Sequence, residues 1–516
     1  MRALLGGLFL GGTLFASPAS ASVADAAACL EAADVVCART ALKSLNAKES
    51  ESADALLFEA RAAFYAGEYS NAHETLIRAL EAGAKDPYDD LGLYERTLAA
   101  TQDFLEVRRG NFVVRYRPGL DAVLVDGAIE SMEKAQRYLA PLMGGPPPGK
   151  VMLEIFPHAR SFTMASSLSE QNVRTTGVIA LSKWSRLLMV SPRTLGGGFT
   201  WEDTIAHEYI HLVVSHQTRD RSPVWLQEGI AKFLDNRWRD GKDRFHLEPR
   251  LESILAKAIA SGELVTFEQM HPSLAKLPSA DMAGLAYAQL ATLLAFSFEK
   301  GGEDVLLRVL PRVKTGEDPR QVLAEESGFE DLETMVAQWK TWVVQAGLKD
   351  RGVKGKPVVL DPNDPSEADP VLSGRRDLAN FMRLGDLLHE RKHYKAALIE
   401  YAKAEGADAM GSPLLASRIA TTQIAMGQWD SAAATIKASL VAYPEHADSH
   451  QLMGQIYRHQ GKRIEAIRAY SKALSMYPFD SASQEALTEL YTAAGDTERA
   501  KRHQRYLNIL RRGGEG

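Results

Sequence analysis

The stretch Thr200–Trp238, TWEDTIAHEYIHLVVSHQTRDRSPVWLQEGIAKFLDNRW, decides how the rest of the chain is read. Residues four apart on an α-helix are separated by about 400°, close to one full turn, and so share a face. His207-Glu208-x-x-His211 therefore turns two imidazoles to one side with Glu208 beside them. That pattern suits two ligands on one Zn²⁺ with a general base next to it. Ile205, Tyr209, Leu212 and Val213 give the same helix apolar surface to bury. A carboxylate buried between two histidines is costly unless a cation supplies the opposite charge. The helix is predicted from Trp201 to about His216, after a break at Gly196-Gly197-Gly198. Thr200 is its expected N-cap, with Asp203 as capping-box partner.

The polar turn Arg219-Asp220-Arg221 leads to Ser222-Pro223, an expected N-cap with proline in the first helical position. Val224-Trp225-Leu226-Gln227-Glu228-Gly229 then opens a second helix. A hairpin of two helices returns Glu228 to His207 and His211, a His₂Glu set with one coordination position open. The alternative for Glu228 is an exposed i,i+4 salt bridge with Lys232. Its apolar WLxEG surroundings favour the ligand. Asp235, two turns beyond Glu228, reads as a solvated acid, with orientation of a ligand from behind as the alternative. His216 reads as a surface residue, and His158, His271, His446 and His450 lack ligand spacing.

Outward from this stretch the chain divides. Composition is that of an ordinary globular protein, 45% hydrophobic and 24% charged over 516 residues, room for two to four domains. Net charge is −6 and no polybasic run is present, which argues against nucleic acid and against an anionic membrane surface as partners. Residues 1–21 read as a secretory signal: Arg2, an apolar run from Ala3 to Ala16 too short to span a bilayer, and the small-x-small site Ala19-Ser20-Ala21. No later run is apolar enough to be a transmembrane segment, so the mature chain is expected outside the cytoplasm, in the periplasm or extracellular. In that oxidising setting Cys29 and Cys37, the two cysteines, are expected to pair, two free thiols being the alternative. Eight residues of continuous helix would hold them about 12 Å apart, so pairing requires a turn between them near Ala33-Asp34.

Residues 22–103 read as an N-terminal helical region, with LLFEARAAFYAGEYSNAHETLIRALEAGAKDP spaced like one tetratricopeptide unit around Ala60, Gly67, Tyr69, Ala72, Leu76 and Ala79. The pattern changes near Phe104. Asn111–Gly119 and Lys150–Pro157 read as strands flanking a helix, and TTGVIALS and RLLMVSP as two more, which makes 104–350 an α+β zinc domain. Residues 351–374, rich in Pro and Asp, read as a linker. From 375 to 516 a repeat is plain: Ala397, Ala432, Ala466 and Ala500 recur at intervals of 35, 34 and 34 residues, and Leu384-Gly385 recurs as Met453-Gly454. A 34-residue period is the tetratricopeptide signature, and such solenoids present a groove to a peptide or protein partner.

HEYIH followed by SPVWLQEGIAKF resembles the peptidase MA-like gluzincins, the thermolysin- and aminopeptidase-related zinc metallopeptidases. The resemblance implies His207, His211 and Glu228 as zinc ligands and Glu208 as the catalytic base. It also implies a Tyr or His donor to the oxyanion, for which Tyr287 in Gly284-Leu285-Ala286-Tyr287 is the candidate, a core aromatic being the alternative. Thr176–Ala180 is a candidate edge strand for pairing with extended substrate, an ordinary structural hairpin being the alternative. The fold expectation is thus multidomain: an α+β gluzincin-like metallopeptidase domain with all-α tetratricopeptide-type helical repeats on both sides. The functional expectation is an exported zinc peptidase acting on protein or peptide substrates. The alternatives are an envelope quality-control protease and chaperone, or a repeat scaffold with a non-catalytic zinc domain.

Overall fold

Among the described residues, the strands lie between Leu105 and Val190 and make one sheet. A computed structural model describes residues 22–169, 177–239, 247–271, 273–351, 353, 376–405 and 412–513. The signal read at 1–21, and all of the 351–374 linker except Arg351 and Val353, lie outside these residues. Five strands run β1 (Leu105–Arg109), β2 (Phe112–Tyr116), β3 (Val151–Phe156), β4 (Ala180–Lys183) and β5 (Arg186–Val190), in the order β1-β2-β3-β5-β4. The β2–β3 and β3–β5 pairs are parallel; β1–β2 and β5–β4 are antiparallel. The two parallel pairs occupy the middle, where both faces are covered. Every residue of β3 and β5 is buried.

Alternation along these strands sorts the core. Val151, Leu153, Ile155, Leu187 and Met189 face the main cluster shared with the helices Val125–Met143 and Trp201–Thr218. Phe156, Leu188 and Val190 face a smaller cluster around Phe162 and Leu195. β1 is an addition to the strands read from sequence, joined to β2 across Gly110-Asn111.

The N-terminal region is helical, as expected. Ala53–Tyr65 and Tyr69–Glu81 form a hairpin that buries Ala60, Tyr69, Ala72, Leu76 and Ala79. It is fastened to the sheet by charge. Glu154 of β3, fully buried, accepts a hydrogen bond from Tyr69 Oη at 2.6 Å, from Arg186 Nη1 at 2.9 Å and from Arg115 Nη1 at 2.9 Å. Arg186, also fully buried, lies against the rings of Phe64, Tyr69 and Trp184. Ahead of this hairpin, Cys29 and Cys37 are disulfide-bonded with Cα atoms 5.6 Å apart. The intervening turn has Ala33 at φ +54°, and Asp34 accepts from Cys37 N to cap the next helix.

After the sheet come the helices Trp201–Thr218 and Val224–Leu234, then Pro249–Ser261, Ala280–Gly301, Val305–Thr315, Pro319–Glu326 and Leu332–Gln345. The C-terminal part is a run of helical hairpins, in which Ala397, Ala432, Ala466 and Ala500 are all buried. A Cβ on Gly454 would sit 2.7 Å from the Tyr470 ring, which is why this repeat position is glycine. The solenoid folds back onto the sheet domain. Phe199 N donates to Met476 O at 3.2 Å, Tyr506 Oη donates to Asp126 at 2.8 Å, and Arg502 pairs with Glu130. Among the described residues no helix is long and apolar enough to cross a membrane.

Candidate metal centre

The two helices that carry the site are held by different means. Trp201–Thr218 is amphipathic and buries Ile205, Tyr209, Leu212 and Val213, as its sequence requires. Its expected capping box does not form. The Thr200 side chain makes no cap hydrogen bond, and Asp203 instead accepts from Trp238 Nε1 at 3.1 Å and Arg239 Nε at 2.8 Å. Two charged or aromatic donors compete better for that carboxylate than a free backbone N–H. The helix ends at Arg219, whose left-handed φ of +51° is followed by Asp220 at +57°. The second helix begins at Val224, with Pro223 rather than Ser222 as its N-cap. Gly229, next to Glu228, allows close packing on Ala280–Gly301: a Cβ there would lie 2.8 Å from Leu294.

This hairpin brings the three predicted ligands together. The Oε2 of Glu228 lies 3.5 Å from His207 Nε2 and 3.6 Å from His211 Nε2, and one donor atom from each residue falls within 4.8 Å of the others. Glu228 Oε2 is buried yet has no hydrogen-bond partner. Donor atoms around one tetrahedral zinc, at bond lengths of about 2.0–2.1 Å, stand about 3.3–3.4 Å apart. The two separations from Glu228 are too long for good hydrogen bonds and close to that value. The side chains keep 18%, 14% and 20% exposure toward the cleft, which leaves room for a further ligand.

Electrostatics point the same way. Burial disfavours charge on His207, but the facing carboxylates of Asp235, Glu228 and Glu208 outweigh it and raise the imidazole to about 10. Burial likewise works to raise Glu228, and the facing His211 and His207 reverse it, holding the carboxyl below its ordinary range. The cluster therefore calls for a positive charge at its centre, from a proton or a cation. The residues fit a divalent metal.

Glu208 is buried beside the three, and burial pushes its carboxyl up against the pull of His211 and His207. Tyr287 lines the same cleft as His207 and Glu208; burial, then the Glu228 and Glu208 carboxylates, raise its hydroxyl. An edge strand is present, but it starts at Ala180; Gly177–Ile179 precede it along the cleft, and Thr176 lies outside the described residues.

The alternative for Glu228, a salt bridge with Lys232, does not form: Lys232 bonds Asp235 at 3.3 Å and Glu248 at 2.8 Å. Asp235 is not solvated. It is 7% exposed, and its Oδ2 lies 3.6 Å from His207 Nδ1, on the side of the ring away from Glu228. His207 and Lys232 together hold the Asp235 carboxyl below its usual range despite burial.

Residues 143–345 match the family model of the Peptidase MA superfamily, and residues 447–480 match that of the tetratricopeptide repeat. The chain thus carries a peptidase MA domain followed by tetratricopeptide repeat structure. No curated protein matches it. Among solved structures, native yeast LTA4 hydrolase is 13% identical at a TM-score of 0.32, covering 80% of this chain and 66% of that one. A crystal structure of MamA is 17% identical at 0.23, covering 27% and 78%. The MamA 41-end structure from Desulfovibrio magneticus RS-1 is 19% identical at 0.24, covering 28% and 81%.

Proposed function

We propose that this chain is an exported zinc-dependent peptidase that hydrolyses peptide bonds in protein substrates, with its repeats holding substrate or a protein partner. The convergence of His207, His211 and Glu228 on one point, with Glu208 and Tyr287 in the same cleft, carries the reading. The peptidase MA match over 143–345 supports it. His207, His211 and Glu228 would hold the zinc, which when bound supplies Lewis-acid polarisation of a carbonyl and a lowered pKa for water. Glu208, held next to the histidines, takes the proton of the attacking water and returns it to the leaving amine. Tyr287 donates its hydroxyl proton in a hydrogen bond to the oxygen on which negative charge develops. Asp235, whose carboxylate faces His207 Nδ1 at 3.6 Å, orients the ring so that Nε2 is turned to the metal position. Export to the periplasm or beyond is supported by the signal-like N-terminus and by the Cys29–Cys37 disulfide.

The test is hydrolysis of a denatured protein by wild type and Glu208→Gln, with zinc measured in both. The account predicts equal zinc and cleavage lost in the variant by three or more orders of magnitude. Zinc bound by both and cleavage by neither would favour the scaffold alternative.

A further inference from the structure

Two compartments meet beside the metal centre. One is the cleft itself, about 680 Å³, bounded by Gly177–Ala180 on one side and by Leu251, Leu277 and Ala283 on the other. The second, about 1030 Å³, lies between the peptidase domain and the solenoid. Lys232 and Glu248 belong to the walls of both, so the two spaces adjoin across this ion pair. Beyond the pair, the peptidase side presents the partly exposed Phe298, Trp342 and Leu348. The solenoid side presents Val441, Pro444, Glu445 and Lys472. Val441 stands out, a β-branched aliphatic side chain 62% exposed on the helix Trp429–Ala442 and aimed into this space. Glu445 on this wall feels the charges of Glu248, Lys232 and Lys472, so the walls carry charged groups of both signs where the compartments meet.

We infer that the space between the peptidase domain and the solenoid is a continuation of the substrate cleft, occupied by the part of an unfolded polypeptide that runs past the scissile bond. The inference rests on the peptidase reading for what happens in the cleft, and on the geometry of the junction for what lies beyond it. An unfolded polypeptide is the occupant these walls fit. The edge strand in the cleft offers main-chain pairing. The junction then offers apolar surface for side chains, with charged groups at hydrogen-bonding reach for the backbone. The space, about 1030 Å³, stands at the upper end of the roughly 300–1,000 Å³ usual for a small-molecule site, and the cleft adds to it. The solenoid, on this view, builds part of the binding groove through residues 441–445 and Lys472, rather than only delivering substrate from a distance.

The junction can be filled from either wall at positions that are exposed and remote from the metal ligands. Val441→Trp fills it from the solenoid and Ala346→Trp from the peptidase domain. Ile464→Trp, at a solenoid position 63% exposed and outside the junction, is the control. Each is made in the full chain carrying Glu208→Gln. Binding is read by fluorescence anisotropy of a labelled, reduced and carboxymethylated α-lactalbumin, and of a labelled tetrapeptide too short to leave the cleft. Val441→Trp and Ala346→Trp are expected to weaken binding of the unfolded protein at least tenfold. Tetrapeptide binding should stay within twofold, and Ile464→Trp should change neither. Equal binding of the unfolded protein by all three variants and the parent overturns the inference. So does loss of the tetrapeptide along with the protein, or no binding of the protein by the parent. Hydrolysis by the wild-type chain is scored separately: its absence would count against the peptidase reading while the binding series still decides the groove.

Discussion

The Nδ1 of His207 lies 3.6 Å from the Oδ2 of Asp235, a carboxylate that is 7% exposed and shared with Lys232. A ligating histidine whose far nitrogen faces a buried carboxylate has its tautomer and ring orientation fixed by it. Asp235→Asn keeps the shape and removes the charge. We expect zinc affinity to fall about 10- to 100-fold, measured by competition with a chromophoric chelator, with the fold intact by circular dichroism. Unchanged affinity would mean that Asp235 serves only to neutralise Lys232.

Tyr287 is expected to act on the transition state and not on substrate or metal. Tyr287→Phe should lower kcat by about 10²–10³ and leave KM and zinc content near those of wild type. Steady-state kinetics on a quenched peptide, alongside metal analysis, separates this from a packing role. A packing role would reduce zinc content or thermal stability along with kcat.

The network of Glu154 with Arg186, Arg115 and Tyr69 is buried where the N-terminal helices meet the sheet. Removing one partner of a buried ion pair leaves the other charge uncompensated, which costs about 3–5 kcal/mol. Glu154→Ala leaves two arginines without their carboxylate. We expect it to lower stability by that amount in urea titration and to expose the helix Tyr69–Glu81 to limited proteolysis first. Replacement that only softens the domain elsewhere would not give that cleavage site priority.

His503 on the last helix gives a pH signature away from the metal centre. Burial, then the neighbouring Arg502 and Arg499, lower its pKa to about 4; its Nδ1 lies 2.7 Å from Gln484 Oε1 and its ring stacks on Tyr491. An unfolded histidine titrates near about pH 6.5. Between those two values the unfolded chain takes up a proton that the folded chain does not. This contribution to stability is therefore whole above about pH 6.5 and is lost as pH falls toward 4. His503→Gln should melt less steeply with falling pH than wild type when Tm is compared at pH 7 and pH 5. Parallel pH dependence in the two proteins would contradict the assignment.

Local patterns were legible in the sequence where one element supplies them. The i,i+4 histidines, the 34-residue phase of the buried alanines and the need for a turn between Cys29 and Cys37 follow from a single helix, a repeated hairpin and a covalent distance. Glu228 also followed, because its apolar neighbours left an unpaired carboxylate needing a partner. Failures lie where the deciding partner comes from elsewhere. β1 escaped notice because its side chains, Glu106, Arg108 and Arg109 among them, are charged and mostly exposed, so no alternation marks it. Asp235 sits at the C-cap of its helix, and only the packing of the two helices shows which way it faces. The Thr200–Asp203 box looked sound locally, yet Trp238 and Arg239, thirty-five and thirty-six residues on from Asp203, take its carboxylate. The return of the solenoid onto the sheet domain, through Met476, Arg502 and Tyr506, is tertiary throughout.

The central claim is that His207, His211 and Glu228 hold one zinc ion per chain. Metal analysis of the purified full chain, after loading with zinc and removal of excess, tests it most directly when run beside His211→Ala and Glu228→Gln. The account predicts one equivalent in wild type, a loss of at least half of it in Glu228→Gln and near-complete loss in His211→Ala. Wild-type protein that retains no zinc, or variants that retain as much as wild type, would contradict it.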